Sequence, residues 1–229
     1  MTMNDNRDPR DAMPEKLHLY TGKAIDVTYN KARCIHVSAC IRGLPRVFDP
    51  GSRPWVICDN STADKVAAVV ETCPSGALHY VRKDGGAAET PDEENALLVS
   101  RDGPLFIRGD LQLVGSDGTV SAETRLTLCR CGASTHKPYC DNSHLRIRFS
   151  DPSPRIPVGE LGPDRAASGP LRIEPETNGP LHLSGNLRVL DAAGVAAGCS
   201  SEATFCRCGH SANKPFCDGS HATTRFSST

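Results

Sequence analysis

The chain has 229 residues and a formal net charge of −1, with 38% hydrophobic residues but only 5% aromatic residues. This composition disfavours one large apolar core and favours short modules, which often need bound metals or disulfides for stability. The near-zero charge argues against a nucleic-acid-binding protein, and no apolar run reaches the roughly 18 residues of a membrane span.

Residues 1–16 mix both charges and contain no apolar segment, so they predict a disordered polar tail rather than a secretory signal. We therefore expect a cytoplasmic protein, whose thiols stay reduced. Eleven cysteines in such a compartment indicate metal binding rather than disulfides.

The first module, residues 17–84, is predicted to be a small α+β unit. Residues 24–29 (AIDVTY) have the composition of a strand. Residues 62–73 (TADKVAAVVETC) predict a helix whose apolar stripe contains Val66, Val69 and Val70.

Three cysteines of this module form a candidate third metal site. Cys34 and Cys40 are separated by five residues, and Cys73 follows later, directly before a proline. Bacterial ferredoxins use a Cys-x2-Cys-x2-Cys run with a distant Cys-Pro, but Val37 occupies the middle cysteine position here.

With the LPRVFD and CPSGAL segments, residues 20–82 resemble the divergent single-cluster ferredoxin-like domain, a 4Fe–4S mono-cluster module. The resemblance implies a [3Fe–4S] cluster on the three cysteines, or a [4Fe–4S] cluster with His36 or Cys58 as fourth ligand. A degenerate domain that has lost its cluster remains the alternative.

Two Gly- and Pro-rich segments, residues 85–95 and 150–170, are predicted linkers. They leave three modules, of which the last two, residues 96–149 and 171–229, are an internal repeat. Gly103 aligns with Gly179 and Cys129 with Cys206, with one inserted residue between them.

Each repeat is predicted to be a small antiparallel sheet that leads into a cysteine-rich loop. Alternating residues at 111–114 and 187–190 indicate strands, and residues 116–118 and 192–194 indicate hairpin turns.

Both repeats carry the spacing Cys-x-Cys-x8-Cys-x3-His. The candidate ligands are Cys129, Cys131, Cys140 and His144 in the first copy and Cys206, Cys208, Cys217 and His221 in the second. Structural zinc sites usually use Cys-x2–4-Cys pairs. A single intervening residue in extended backbone places both thiols on one side, with Cα atoms about 6–7 Å apart. The chemistry favours one pair on each iron of a [2Fe–2S] core and leaves zinc open.

The second loop, CRCGHSANKPFCDGSH, matches the pattern of the CDGSH iron–sulfur domain family throughout. The first loop departs from it at Asn142, where the family has Gly. Asn tolerates left-handed backbone, so we expect this loop to keep its shape. Asp141 and Asp218 are expected to cap short helices that hold the histidines in their first turn.

This resemblance implies a [2Fe–2S] cluster with three Cys and one His ligand in each copy, on a small β-rich fold. We expect an α+β chain of small β-rich modules: a ferredoxin-like domain followed by two CDGSH repeats in a pseudo-twofold pair. The protein is then a monomer with paired repeats or a homo-oligomer.

The expected function is electron transfer or redox and pH sensing, with a redox protein as partner. No nucleotide-binding loop or catalytic triad is present in the sequence, so no stand-alone enzyme is expected. The alternatives are an iron-storage or cluster-delivery protein that serves apo-acceptors, and a zinc-binding interaction module.

Overall fold

The computed structural model describes residues 17–152 and 169–228. The tail expected at residues 1–16 and most of the linker expected at 150–170 lie outside these residues. The described chain is β-rich with few helices and forms two separate sheets.

The N-terminal domain is a three-stranded antiparallel sheet in the order β1-β2-β3, with its helices packed against it. Its strands and α-helices are β1 (Leu17–Tyr20), β2 (Ile25–Asn30), α1 (Ala39–Gly43), α2 (Ala63–Glu71) and β3 (Leu78–Arg82), joined by 3-10 turns at Lys31–Arg33 and Cys58–Asn60.

The sequence pattern explains this packing. Ile25 and Val27 alternate inward along β2, and α2 buries Val66 and Val70 on the face that meets the sheet. The strand and the helix predicted from these patterns are confirmed. Since α2 is the longest helix, at nine residues, none in the described part of the chain could cross a membrane.

The two repeats build one six-stranded sheet. Its elements, with the short helices that follow each loop, are β4 (Ala96–Val99), β5 (Leu105–Val114), β6 (Val120–Leu128), α3 (Ser143–Arg146), β7 (Leu171–Pro175), β8 (Leu181–Leu190), β9 (Ala196–Phe205) and α4 (Ser220–Thr223). The predicted strand segments lie within β5 and β8, and both predicted hairpin turns are present.

The repeats exchange strand partners reciprocally. β4 is antiparallel to β5 of its own repeat and parallel to β8 of the other, whereas β7 is antiparallel to β8 and parallel to β5. Both repeats contribute to a single apolar core that includes Leu97, Ile107, Leu171, Val189 and Phe205.

A glycine in the middle of each long strand permits this exchange. Gly109 has a φ of 135°, and a Cβ there would lie 2.2 Å from the side chain of Asn95. Gly185 has a φ of 120°, and a Cβ there would lie 2.6 Å from the carbonyl oxygen of Pro170. The strand registers shift at both places, so each glycine marks a bulge where the other repeat comes close.

The N-terminal domain is fastened to β6 of repeat 1. The Arg125 side chain, 2% exposed, donates to the carbonyl oxygen of Leu78 at 2.9 Å and pairs with Glu89 at 2.6 Å. The hydroxyl of Thr127 donates to the carbonyl oxygen of Pro74 at 3.0 Å. These contacts bring the segment that contains Cys73 against repeat 1.

Candidate metal centres

The four candidate ligands of repeat 1 lie in two pairs. The sulfurs of Cys129 and Cys131 are 3.7 Å apart, and the sulfur of Cys140 lies 3.6 Å from Nδ1 of His144. The three cysteines are buried, whereas His144 is half-buried at the start of α3. Buried thiols beside a half-exposed imidazole provide soft donors for a metal close to the surface.

Repeat 2 reproduces this arrangement. The sulfurs of Cys206 and Cys208 are 3.7 Å apart, and the sulfur of Cys217 lies 3.5 Å from Nδ1 of His221. The structure therefore places all eight predicted ligands of the two loops in four close pairs, two in each repeat. Across the described ranges, however, no three His, Cys, Asp or Glu side chains converge closely enough to hold one metal ion.

Backbone hydrogen bonds fix each loop against its own strand. In repeat 1 the amide of Cys129 donates to Pro138 and the amide of Cys140 donates to Thr127, both at 2.9 Å. The hydroxyl of Ser134 closes the turn by donating to the carbonyl oxygen of Tyr139 at 2.6 Å. The corresponding bonds of repeat 2 join Cys206 to Pro215, Cys217 to Thr204 and Ser211 to Phe216.

The arginine between the first two cysteines of each loop is a structural residue that the sequence reasoning missed. Arg130 and Arg207 are 2% and 3% exposed and donate to backbone carbonyls of the turn before each long strand, at Gly103 and Gly179. Arg130 also pairs with Asp151. The same arginine occurs in both motifs, and this repetition is the sequence feature that could have identified it.

The aspartate after the third cysteine orders the turn into the helix. Asp141 accepts hydrogen bonds from the amides of Ser143 and Thr135, at 2.9 and 2.8 Å. The capping position itself belongs to Asn142, which has the expected left-handed conformation at φ 67°. Asp218 accepts the equivalent bonds in repeat 2, from the amides of Ser220 and Ala212. A hydrogen bond with the Ser220 side chain, together with these amide bonds, holds the pKa of Asp218 below the ordinary value.

The sulfurs of the first pair lie within hydrogen-bonding distance of each other. This hydrogen bond lowers the pKa of Cys129 and raises the pKa of Cys131. Burial raises the pKa of Cys140 to about 11 and lowers the pKa of His144. The imidazole is therefore neutral at neutral pH, which is its ligating form, and a bound metal would displace the thiol protons.

The three cysteines of the N-terminal domain line one cavity. Cys34, Cys40 and Cys73 all face it, together with His36 and Ser75. Nδ1 of His36 lies 3.8 Å from the sulfur of Cys34, and the hydroxyl of Ser75 lies 3.7 Å from the sulfur of Cys73. Ser75, which is 3% exposed, is a candidate donor that the sequence reasoning did not identify.

The two candidates for a fourth ligand differ in position. His36 lines the cavity of the three cysteines. Cys58 lies in the apolar core of the domain, and its sulfur faces the carbonyl oxygen of Tyr20 at 3.4 Å. Burial raises the pKa of Cys58, as expected for a thiol among apolar side chains. Of the two, His36 is the residue placed to complete a site.

Comparisons with known proteins agree with this division of the chain. A family model described as a divergent 4Fe-4S mono-cluster matches residues 20–83, and one described as an iron-binding zinc finger of CDGSH type matches residues 102–145 and 178–222. These matches indicate iron–sulfur binding domains.

Among curated proteins, Uncharacterized protein YjdI of Escherichia coli K12 is 44% identical over 64 residues, which make up 28% of this chain and 84% of that protein. Its counterpart in Escherichia coli O157:H7 matches to the same extent. No match was found among solved structures. The chain therefore carries two CDGSH-type iron-binding domains in tandem behind a divergent 4Fe-4S mono-cluster domain.

Proposed function

We propose that the protein is an iron–sulfur electron carrier with one [2Fe–2S] cluster in each repeat, held by three Cys and one His. This proposal rests on the arrangement of the four donors of each repeat in two close pairs. Two donors on one tetrahedral metal lie about 3.5–3.8 Å apart, given bonds of about 2.3 Å to sulfur and about 2.0 Å to nitrogen. The observed separations of 3.7 Å between sulfurs and 3.5–3.6 Å between sulfur and nitrogen fit one iron for each pair.

The same geometry disfavours the zinc alternative. A single tetrahedral zinc ion needs all four donors at these short mutual distances. In neither described repeat are three of the donors close enough to share one ion. Two separate pairs instead suit the two irons of a diamond-shaped core.

We propose a third cluster in the N-terminal cavity, held by Cys34, Cys40 and Cys73. Thiols that face one cavity without converging on one point suit a cuboidal cluster, which presents a different iron to each thiolate. Three ligands suit [3Fe–4S], and His36 would complete a [4Fe–4S] site.

We further propose that the two repeats form a pseudo-twofold pair within one chain. Their exchange of strand partners is reciprocal, and so is the contact between their loops. A Cβ on Gly132 would lie 2.4 Å from the carbonyl oxygen of Cys208, and a Cβ on Gly209 would lie 2.6 Å from that of Cys131. The backbones of the two loops therefore touch, and a single chain supplies both halves.

A bound cluster of this type supplies one-electron chemistry, and a neutral histidine in place of a thiolate raises its reduction potential. The chain contributes the surroundings of the donors. Arg130 and Arg207 hold the buried Cys-x-Cys segments in place, while His144 and His221 lie half-buried on short helices. The histidine end of each site is thus the end nearest to solvent.

An exposed patch beside His144 suits an acidic redox partner. Leu145 and Ile147 are 70% and 45% exposed, and they alternate with the exposed Arg146 and Arg148. Apolar side chains rimmed by cations favour docking of a protein with a complementary acidic surface. We propose that the electron-donating or electron-accepting partner binds here.

Visible absorption of the anaerobically purified protein tests the proposal, because iron–sulfur clusters are coloured and zinc is not. We expect absorption that bleaches on one-electron reduction with dithionite and returns on reoxidation. A colourless zinc protein would contradict the proposal.

The half-buried histidines also favour a second candidate function, cluster delivery. Incubation with an apo-ferredoxin distinguishes the two functions. A carrier should keep its iron in the presence of the apo-ferredoxin, whereas a delivery protein should transfer its clusters to it.

A further inference from the structure

Asn142 contacts both the N-terminal cysteine site and the site of repeat 1. Its backbone amide donates to the sulfur of Cys140 at 3.4 Å. Its side-chain amide donates to the carbonyl oxygen of Ile35 at 2.8 Å, and Ile35 directly follows Cys34. A continuous path from the sulfur of Cys34 to the sulfur of Cys140 therefore crosses only these two hydrogen bonds.

A second contact lies on the other side of the same two cysteines. Arg33 directly precedes Cys34, and its guanidinium lies 4.9 Å from the ring centre of Tyr139, which directly precedes Cys140. Arg33 also pairs with Glu123 of β6 at 2.9 Å, and both side chains are less than 10% exposed. The segment around Cys34 is thus held against the loop of repeat 1 on both sides.

Repeat 2 has the same backbone without the connection. The amide of Gly219 donates to the sulfur of Cys217 at 3.4 Å, and Gly219 has a left-handed φ of 86°. A Cβ added at Gly219 would meet nothing within 4 Å. The position equivalent to Asn142 therefore faces open space in repeat 2.

We propose that Asn142 is a positioning residue that couples the N-terminal site to the Cys140–His144 end of repeat 1. Repeat 2 lacks this direct connection. The inference rests on the proposed function, since it requires a cluster at both sites. The connection serves one-electron exchange, in which one site loses the electron that the other gains and no bond or proton is transferred. The first electron comes from a one-electron donor, dithionite in the test below.

Three substitutions in the full-length protein test this role. Asn142→Gly gives repeat 1 the residue of repeat 2. Asn142→Asp keeps the shape of the side chain but removes the N–H donor that faces Ile35. Gly219→Asn adds the side chain to repeat 2, where a Cβ meets nothing within 4 Å, and is the matched control. Gly, Asp and Asn all accept left-handed backbone, so each variant should fold.

The first readout needs no cluster. We expect hydrogen exchange of the amides at residues 34–38 to accelerate about tenfold in both Asn142 variants, as the loss of one hydrogen bond implies. Gly219→Asn should exchange like the wild type. Unchanged exchange in both Asn142 variants would overturn the proposed contact, whether or not clusters are bound.

The second readout is the rate of internal electron exchange after substoichiometric reduction with dithionite, followed by freeze-quench EPR. We expect the N-terminal and repeat 1 signals to equilibrate at least about tenfold more slowly in both Asn142 variants, and at the wild-type rate in Gly219→Asn. Wild-type rates in cluster-loaded Asn142 variants would overturn this inference alone. Absence of the cluster signals from the wild-type protein would instead overturn the proposed function.

Discussion

Repeat 1 and repeat 2 have nearly the same donor geometry but different surroundings. The donor pairs are 3.7 and 3.6 Å apart in repeat 1 and 3.7 and 3.5 Å apart in repeat 2. Asn142 ties the first loop to the N-terminal domain, whereas Gly219 leaves the second loop open. The two copies of the loop can therefore keep the same donor geometry while a single side chain, present in only one of them, determines whether the loop contacts the N-terminal domain.

The ion pairs compared in the two repeats also differ in how far they are buried. Arg125 of repeat 1 pairs with Glu89 of the preceding segment, and the two side chains are only 2% and 8% exposed. In repeat 2, Arg172 pairs with Glu174, and the two side chains are 42% and 47% exposed. The boundary between repeat 1 and the N-terminal domain thus contains a buried ion pair, and removing one of its two charges leaves the other charge buried and unpaired at a high cost in free energy.

Removal of one ligand from each repeat should have the largest effect. Cys140→Ser and Cys217→Ser should each remove about two iron atoms, one [2Fe–2S] cluster, because serine cannot replace a ligating thiolate well. Iron analysis with visible absorption measures the loss. A full complement of iron in either variant would mean that the substituted cysteine is not a ligand.

The boundary of repeat 1 should depend strongly on its buried ion pair. Arg125→Ala leaves the Glu89 carboxylate buried without its arginine partner, which should lower the free energy of unfolding by about 3–5 kcal/mol. Trp55, the only tryptophan, lies in the N-terminal domain and reports its unfolding by fluorescence.

The comparison variant in repeat 2, Arg172→Ala, removes an exposed ion pair within β7 and should lower the free energy of unfolding by less than about 1 kcal/mol. Equal losses in the two variants would show that burial does not distinguish the two ion pairs.

The histidines should tune both repeats alike. His144→Cys and His221→Cys each replace a neutral ligand by a thiolate, which should lower the reduction potential of that cluster by on the order of 100 mV. Redox titration followed by EPR gives both potentials. If neither potential moves, the histidines are not ligands.

Glu89 should give the boundary of repeat 1 a smaller, pH-dependent contribution to stability. Burial raises the pKa of Glu89, but the hydrogen bond with His79 and the charge of Arg125 outweigh burial and lower the pKa from 4.5 to about 2. A carboxylate with a lowered pKa stabilises the folded protein above pH 4.5 and loses this contribution as the pH falls toward 2.

Wild-type protein should therefore be more stable than Glu89→Gln near pH 7, and the difference should shrink steadily below about pH 4.5. Denaturant unfolding followed by Trp55 fluorescence measures both proteins across this range. A difference that stays constant between pH 5 and pH 2.5 would refute the role given to Glu89.

Local features of this fold could be predicted from the sequence. The ligand spacing, the helix around Val66 and the left-handed backbone at Asn142 each depend on a few neighbouring residues, and the structure agrees with the last two. In β5 the alternation is clear at residues 111–114, whereas Gly109 and the charges around it interrupt the pattern earlier in the strand.

Contacts between distant segments could not be predicted in this way. Asn142 and Ile35 are 107 residues apart, and their hydrogen bond forms only after the N-terminal domain docks on repeat 1. The burial of Arg130 likewise depends on the carbonyl oxygen of Gly103 in a preceding turn. Neither partner is visible in the local pattern of the chain.

The most direct test of a two-iron site in each repeat is the measurement of iron, acid-labile sulfide and zinc on one anaerobically purified sample of the full-length protein. The account predicts about two irons and two sulfides for each repeat, about three or four further irons for the N-terminal site, and negligible zinc. About one zinc for each repeat, without sulfide, would contradict it.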